Sequence, residues 1–113
     1  MTGIPDTSTA IRWQDVAALT DLPALGGRLV VVPGGEIALL RNERDEIFAI
    51  DNRCPHKGGP LAEGAVSGHS VYCPLHNWRI DLTCGQACAP DVGQVRTWPV
   101  RVTDGRILIG LPL

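Results

Sequence analysis

Short runs rich in β-branched residues lie towards both ends of the chain. Five stretches show this pattern: residues 28–32, 36–40, 46–50, 97–103 and 106–109. The turn-forming sequences PGG and NERD separate the first three, and Asp104-Gly105, which favours a tight hairpin, separates the last two. The pattern predicts an all-β protein of small antiparallel sheets, together with one helical turn between Trp13 and Leu19.

The middle of the chain, from Cys54 to about Leu82, differs from both ends. Glycine and proline are frequent here, and they surround two short Cys–His pairs. This composition indicates tight loops that hold a site inserted into the β base. We therefore expect a disordered N-terminus over residues 1–10, a single domain over residues 11–113, and a site-bearing subdomain over about residues 51–82.

Length and charge exclude several classes of function. The chain has 113 residues, which fits one domain, and its formal net charge is -2. Nucleic acids and anionic membranes attract basic surfaces, so neither is expected as the main partner. No apolar run approaches the roughly 20 residues of a membrane span, and no signal peptide is evident. We expect a cytoplasmic protein whose four cysteines are metal ligands or free thiols.

The two Cys–His pairs carry the candidate chemistry: Cys54 with His56, and Cys73 with His76. A structural zinc site usually groups like ligands, as in C-x2-C and H-x3-H, so the mixed pairs fit zinc poorly. A cluster of two irons and two sulfides has two distinct metal positions. Two equivalent loops can each supply a thiolate to one iron and an imidazole to the other. This arrangement favours a binuclear iron–sulfur centre, with a structural zinc domain as the alternative.

Imidazole ligands change the charge of such a centre. Two ferric ions, two sulfides and two thiolates sum to zero, whereas four thiolates would leave two negative charges. A neutral site accepts an electron more readily, so its potential lies above that of a plant-type ferredoxin. The histidines are also expected to form the exposed edge where electrons enter and leave.

The order C-x-H, sixteen residues, then C-x2-H resembles a Rieske iron–sulfur domain. The longer text CPHKGGPLAEGAVSG, VYCPLHNWRIDL and APD resembles more narrowly the small subunit of assimilatory NAD(P)H-dependent nitrite reductase. The resemblance covers residues 11–111. It implies three small antiparallel sheets with a cluster-binding subdomain. Four residues would hold one [2Fe–2S] cluster, with Cys54 and Cys73 on one iron and His56 and His76 on the other.

Departures from this family concern the surroundings of the cluster. High-potential Rieske proteins of respiratory complexes have an additional cysteine in each loop, and the two form a disulfide; the matching residues here are Gly59 and Leu75. Those proteins also place hydroxyl groups near the cluster, where this chain has Trp78 and Ile80. With fewer hydrogen bonds to its sulfur atoms, the reduced cluster is less stabilised than in those proteins. We therefore expect a reduction potential on the order of -150 mV.

Several other residues have a chemical and a structural interpretation. Cys84 and Cys88 are interpreted as small residues around a glycine turn, with a redox disulfide or a second metal pair as the alternative. His69 is expected to face solvent in a turn. Arg53 and Lys57 flank the first Cys–His pair. They could meet an acidic partner or be ordinary solvated charges.

No catalytic residue is predicted, because no nucleophile, phosphate loop or dinucleotide fingerprint accompanies the Cys–His pairs. A one-electron centre without a substrate site is a relay that needs partners. The resemblance implies an electron-transfer subunit of nitrite reductase, whose large catalytic subunit carries FAD, sirohaem and a further iron–sulfur cluster and reduces nitrite to ammonia. The alternative is a free-standing Rieske ferredoxin of an aromatic-ring oxygenase. The physiological donor, the choice of NADH or NADPH and the subunit stoichiometry stay open.

Overall fold

A computed structural model describes residues 11–55, 58–75 and 77–112 as β-strands joined by short loops. The strands are β1 Ile11–Ala18, β2 Gly27–Val32, β3 Gly35–Arg41, β4 Ile47–Asp51, β5 Ala65–Ser67, β6 Ser70–Tyr72, β7 Arg79–Asp81, β8 Thr97–Trp98, β9 Val100–Thr103 and β10 Arg106–Pro112. Two 3-10 turns, Leu19–Asp21 and Leu61–Glu63, complete the elements in these ranges. The all-β class is confirmed, whereas the predicted disorder of residues 1–10 lies outside the described residues.

The strands form three antiparallel sheets, as the family resemblance implied. Their strand orders are β1-β10-β9, β2-β3-β4-β8 and β5-β6-β7. The third sheet is the smallest, and the two Cys–His segments lie beside it, one between β4 and β5 and the other between β6 and β7. Within the described ranges, no helix is long and apolar enough to cross a membrane.

Strand β3 divides the two hydrophobic cores of the molecule. Ile37 and Leu39 pack into a core shared with β10, while Ala38 and Leu40 pack into a core shared with the third sheet. All four side chains are fully buried. Successive side chains of a strand point to opposite faces, so a strand covered on both faces is apolar at every position. The run IALL is therefore the wall between the base and the site-bearing sheet.

The C-terminal hairpin confirms the prediction from Asp104-Gly105. Both residues have a left-handed backbone, with φ values of 50° and 76°, as a two-residue hairpin turn requires. The predicted run 97–103 is nevertheless broken at Pro99. This residue has no N–H to donate, and its carbonyl accepts the N–H of Gly110 at 2.9 Å. The chain passes here from the second sheet to the first.

The predicted helical turn between Trp13 and Leu19 is wrong. Strand β1 runs through this segment, and a 3-10 turn follows it. The pairing of β1 with β10 shifts by one residue between Asp15 and Ala17. Such a bulge interrupts the period-two alternation by which a strand is recognised. Pairing with a long neighbouring strand outweighs the helical preference of the local alanines and leucine.

Candidate metal centre

The first Cys–His loop, residues 54–59, is closed by hydrogen bonds on both sides of Cys54. The N–H of Cys54 donates to the carbonyl of Gly59 at 2.9 Å, and its carbonyl accepts the N–H of Gly58 at 2.9 Å. Gly58 has a left-handed backbone, with φ of 70°. These two hydrogen bonds place Gly58 and Gly59 directly beside Cys54.

The second Cys–His loop, residues 73–78, repeats this arrangement. The N–H of Cys73 donates to the carbonyl of Trp78 at 2.8 Å, and the carbonyl of Cys73 accepts the N–H of Asn77 at 2.8 Å. Asn77 is left-handed, with φ of 58°, at the same offset from its cysteine as the glycine of the first loop. The two loops thus share one backbone design, although only the first uses glycine at the strained position.

The two loops lie directly against each other. Cys54 and Cys73 are 1% and 3% exposed. A Cβ atom added at Gly59 would lie 2.6 Å from the Sγ of Cys73 and 3.1 Å from the Cγ of Leu75. The two positions that match the disulfide of respiratory Rieske proteins, Gly59 and Leu75, are therefore neighbours in space, and a leucine side chain fills the position of that clamp.

The donor chemistry of this arrangement suits an iron–sulfur cluster. Thiolates are soft ligands, and two of them buried in facing loops provide a water-excluded attachment for iron. His56 and His76, the predicted partners of these thiols, lie outside the described residues. Within the described ranges, no group of three or more His, Cys, Asp and Glu side chains is arranged to hold a metal ion. The two buried cysteines that are described fit the cluster.

A third segment, around Gly93, packs against both loops and was not predicted from the sequence. A Cβ atom at Gly93 would lie 2.7 Å from the Cβ of Pro55 and 3.9 Å from Cζ3 of Trp78. Gly93 thus packs between the first loop and the second. The adjacent Val92 is 85% exposed. The signal in the sequence is Gly93 directly after the apolar Val92.

Cys84 and Cys88 lie on a hairpin beside the second loop and form no disulfide with each other. The expected turn is present, with Gly85 at φ 80°. Cys84 is exposed, and the Sγ of the half-buried Cys88 accepts a hydrogen bond from Nε of Arg79 at 3.2 Å. This bond is the largest cause that raises the pKa of the Arg79 guanidinium. The structure therefore agrees with the turn but not with burial of Cys84 as a small apolar residue.

His69 and Asp81 have structural roles. His69 is exposed, and its Nε2 lies 3.3 Å from Oε1 of Glu46, in agreement with a solvent-facing turn residue. Asp81 accepts hydrogen bonds from the hydroxyl and the N–H of Thr83, at 2.6 and 2.9 Å. These bonds lower the pKa of Asp81. A carboxyl group that is held ionised in this way is a turn cap and not a general acid.

Three antiparallel sheets and two facing Cys–His loops define a small β protein built to hold a metal cluster at one end. The model of the Rieske [2Fe-2S] domain matches residues 12–99, a span that includes both loops. The chain therefore belongs to the Rieske [2Fe–2S] domain family, and membership implies one cluster of the Rieske type. It is accordingly a Rieske ferredoxin-type electron carrier.

Curated relatives include ferredoxins of ring-hydroxylating systems. The ferredoxin component of the naphthalene 1,2-dioxygenase system of Pseudomonas aeruginosa is 38% identical, over 88% of this chain and 96% of its own length. Among solved structures, a protein from Mycobacterium tuberculosis described as an NADH-dependent nitrite reductase small subunit has a TM-score of 0.81 at 25% identity, covering 91% of this chain and 97% of that one. The ferredoxin of carbazole 1,9a-dioxygenase from Nocardioides aromaticivorans has a TM-score of 0.76 at 31% identity, over 86% and 95%.

Proposed function

We propose that Cys54 and Cys73 bind one iron of the Rieske cluster and that His56 and His76 bind the other. The cluster supplies a reversible one-electron carrier. Support comes from the buried thiols of two loops that share the same backbone hydrogen bonds. Each cysteine is followed at short range by a histidine in the sequence. Two like loops with unlike ligands suit a centre with two unlike metal positions.

The ligand assignment is tested by metal analysis of matched variants. The protein is purified without air, and iron, acid-labile sulfide and zinc are measured together with an EPR spectrum of the dithionite-reduced sample. We expect His76→Ala to lose the Rieske signal, while His69→Ala keeps it. Cys73→Ser should lose the cluster, while Cys84→Ser keeps it. Zinc without sulfide in the wild-type protein, or loss of the signal in His69→Ala, would contradict the assignment.

The physiological role that we propose is the small electron-transfer subunit of an NAD(P)H-dependent nitrite reductase. The observation that carries it is the run of residues from Cys54 to Asp91, which resembles that subunit beyond the four ligands. The TM-score of 0.81 to the Mycobacterium tuberculosis protein supports it. The partner would be a large catalytic subunit with FAD, sirohaem and an iron–sulfur cluster, to which this chain contributes one electron at a time.

The second candidate is a free-standing ferredoxin that reduces an aromatic-ring oxygenase. Its support is sequence identity, which reaches 38% with the naphthalene dioxygenase ferredoxin over nearly the full length of both chains. The fold and the cluster are the same in both roles. The two candidates therefore differ only in the partner that recognises the surface around the cluster.

Reconstitution with each partner separates the two roles. Nitrite-dependent oxidation of NADH or NADPH is measured with the large nitrite reductase subunit of the same organism, with and without this chain. In parallel, ring dihydroxylation is measured with an oxygenase and its reductase. Stimulation of nitrite reduction alone would support the first role. Stimulation of dihydroxylation alone would refute it in favour of the second.

A further inference from the structure

A polar trough lies along one side of the first Cys–His loop. It consists of two adjoining cavities of about 570 and 440 Å³, which share Asp51, Arg53 and Gly58. The second cavity is also lined by Cys54 and Pro55. One wall of the trough therefore includes one of the two cysteines that we assign to the cluster, so a molecule bound there would lie beside the proposed cluster-binding loop.

Two exposed arginines of this trough have no carboxylate partner among the described residues. The ion pairs in those ranges use other basic side chains: Arg28, Arg41, Arg44, His69 and Arg106. Arg53 and Arg96 form none, although both lie beside the predicted redox centre. An exposed cation without a carboxylate partner in its own chain is available to an anion from outside.

A contact with the Trp98 ring orients Arg96, while Arg53 lies beside Gly58 of the first Cys–His loop. The guanidinium carbon of Arg96 lies 3.8 Å from the centre of the Trp98 ring, and Nε1 of Trp98 donates to Oδ1 of Asp51 at 2.8 Å. Nε of Arg53 lies 3.4 Å from the position that a Cβ of Gly58 would occupy. A guanidinium stacked on a buried ring loses less rotamer freedom on binding, and it still presents its N–H groups to a carboxylate.

The negative groups of the trough are unevenly placed. Glu36 lines the cavity that does not reach Cys54, and Asp51, which lines both cavities, already accepts the Trp98 hydrogen bond. Among the described residues, the cavity that Cys54 lines therefore has two arginines and one carboxylate, which is already engaged. This local excess of positive charge occurs on a chain whose formal net charge is -2.

We propose that Arg53 and Arg96 receive carboxylates of an acidic redox partner and so place that partner against the first Cys–His loop. The proposal rests on the cluster assignment above and specifies the partner's chemistry: a protein with an acidic surface around its own redox centre. Arginine binds carboxylates through paired hydrogen bonds, which fix orientation. Complementary charge raises the rate of encounter more than it raises affinity.

The sign of a salt effect tests this proposal without any knowledge of the partner. Dithionite-reduced protein is oxidised by hexacyanoferrate(III), a trianion, in a stopped-flow instrument at increasing sodium chloride. The net charge of the chain alone would repel the anion, so salt would then raise the rate constant. A trough that attracts the anion reverses this sign, and the rate constant should fall as salt screens the arginines. A rate constant that rises with salt would overturn the proposal.

Single-charge variants locate the effect. Arg53→Gln and Arg96→Gln should each lower the low-salt rate constant about two- to fivefold and flatten its salt dependence. Arg53→Lys should retain most of the rate. Arg44→Gln removes the same charge from the turn at the opposite end of the β3–β4 hairpin and should leave the rate unchanged. An equal loss in Arg44→Gln would show that net charge, and not the trough, determines the rate.

A cationic oxidant separates electrostatics from a change in potential. Arg53 adjoins Cys54, so its replacement could alter the driving force for every oxidant alike. With hexaammineruthenium(III), loss of the arginine should raise the low-salt rate constant, because a repulsive charge is removed. Changes of the same sign for both oxidants would contradict a steering role.

Two further measurements identify the occupant. Hexacyanochromate(III), which is paramagnetic and redox-inert, should broaden the NMR signals of amides that line the trough more than those of residues 42–46, and less so in Arg53→Gln. This readout does not need electron transfer, so it tests whether the trough binds an anion independently of whether the cluster ligands are assigned correctly.

Poly-L-glutamate should slow oxidation by hexacyanoferrate(III). If it does not compete, the trough is a small-anion site and the docking proposal is wrong.

Discussion

Gly59 and Cys73 approach so closely that a Cβ atom on the glycine would lie 2.6 Å from the cysteine Sγ. The two residues belong to different Cys–His loops, so this approach sets the separation of the loops. We predict that Gly59→Ala displaces the thiol of Cys73 and lowers the iron and sulfide content per chain. The measurement is metal and sulfide analysis of protein reconstituted under fixed conditions.

The control for this prediction is Gly68→Ala. Gly68 has φ of 58°, but among the described residues other than its two chain neighbours no atom lies within 4 Å of an added Cβ. The control therefore includes the backbone strain of a left-handed alanine, about 1 kcal/mol, without crowding a ligand. Full cluster content in both variants would show that the loops can separate without loss of the centre.

Asn77 occupies the position in the second Cys–His loop that Gly58 occupies in the first. Its backbone is left-handed, at φ 58°, and its N–H bonds the carbonyl of Cys73. Asn77→Gly should be neutral or slightly stabilising, because glycine adopts this conformation without strain. Asn77→Val should lower the free energy of unfolding by about 1–2 kcal/mol, since a β-branched residue is strongly disfavoured there.

Urea denaturation and iron content together check the Asn77 prediction. Ser67→Val, at an exposed position of strand β5, is the matched substitution at a residue with an ordinary backbone. It should cost little, because valine is favoured in strands. An Asn77→Val protein as stable and as fully loaded as Ser67→Val would mean that the left-handed conformation is not required in the folded loop.

The parts of the molecule that could be predicted from sequence are those set by neighbouring residues. Asp104-Gly105 defines its own turn, and both residues have the positive φ that a tight hairpin needs. The resemblance to Rieske proteins, whose disulfide occupies the matching positions, implies that Gly59 and Leu75 are neighbours, and they do lie in contact. The turn is specified by two adjacent residues, whereas the contact between the loops follows from the family resemblance.

The parts that could not be predicted depend on contacts between distant segments. The bulge between Asp15 and Ala17 exists because β1 pairs with β10, which is remote in the chain. Gly93 meets Pro55, and Arg96 joins Arg53 in one trough, only after the strands have been assembled. No periodicity within a single segment indicates such pairs, because their separation is determined by sheet order.

Asn42 connects the β3–β4 turn to the sheet that carries the Cys–His loops. Its side chain is 1% exposed. Its Nδ2 donates to Oε1 of Glu46 at 2.7 Å and to the carbonyl of Gly68 at 3.0 Å, while its Oδ1 accepts the N–H groups of Arg44 and Glu46. Asn42→Ala should lower the free energy of unfolding by about 1–3 kcal/mol, because buried polar groups lose their partners.

A second readout of Asn42→Ala is the titration of Glu46. The hydrogen bond from Asn42 is the largest cause that lowers the pKa of Glu46. Its removal should move that pKa back towards the usual range, as followed by NMR. Gln14→Ala, which removes only an exposed side-chain hydrogen bond, should change neither quantity. If Asn42→Ala is destabilised but the pKa of Glu46 is unchanged, the loss of stability comes from packing and not from these hydrogen bonds.

Asp15 and Arg106 form a two-point ion pair between β1 and β10. Nη2 of Arg106 lies 2.7 Å from Oδ1 of Asp15, and Nε lies 3.1 Å from Oδ2. The hydrogen bond from Arg106 is the main cause that lowers the pKa of Asp15 in the folded state. A lowered carboxyl pKa contributes stability above the unfolded value of about 3.9, and this contribution disappears as pH falls through the folded pKa.

We predict that wild type melts at a higher temperature than Arg106→Gln at neutral pH and that the difference shrinks to nothing in strong acid. Both side chains are about half exposed, so the difference should be small and should shrink further in high salt. Melting temperatures of wild type, Arg106→Gln and Asp15→Asn between neutral and strongly acidic pH provide the measurement. Because each variant removes the pair, both should show the same flattened acid dependence. A difference that persists below the folded pKa would mean that Arg106 stabilises the protein through its aliphatic stem, packed against the strand, and not through the carboxylate of Asp15.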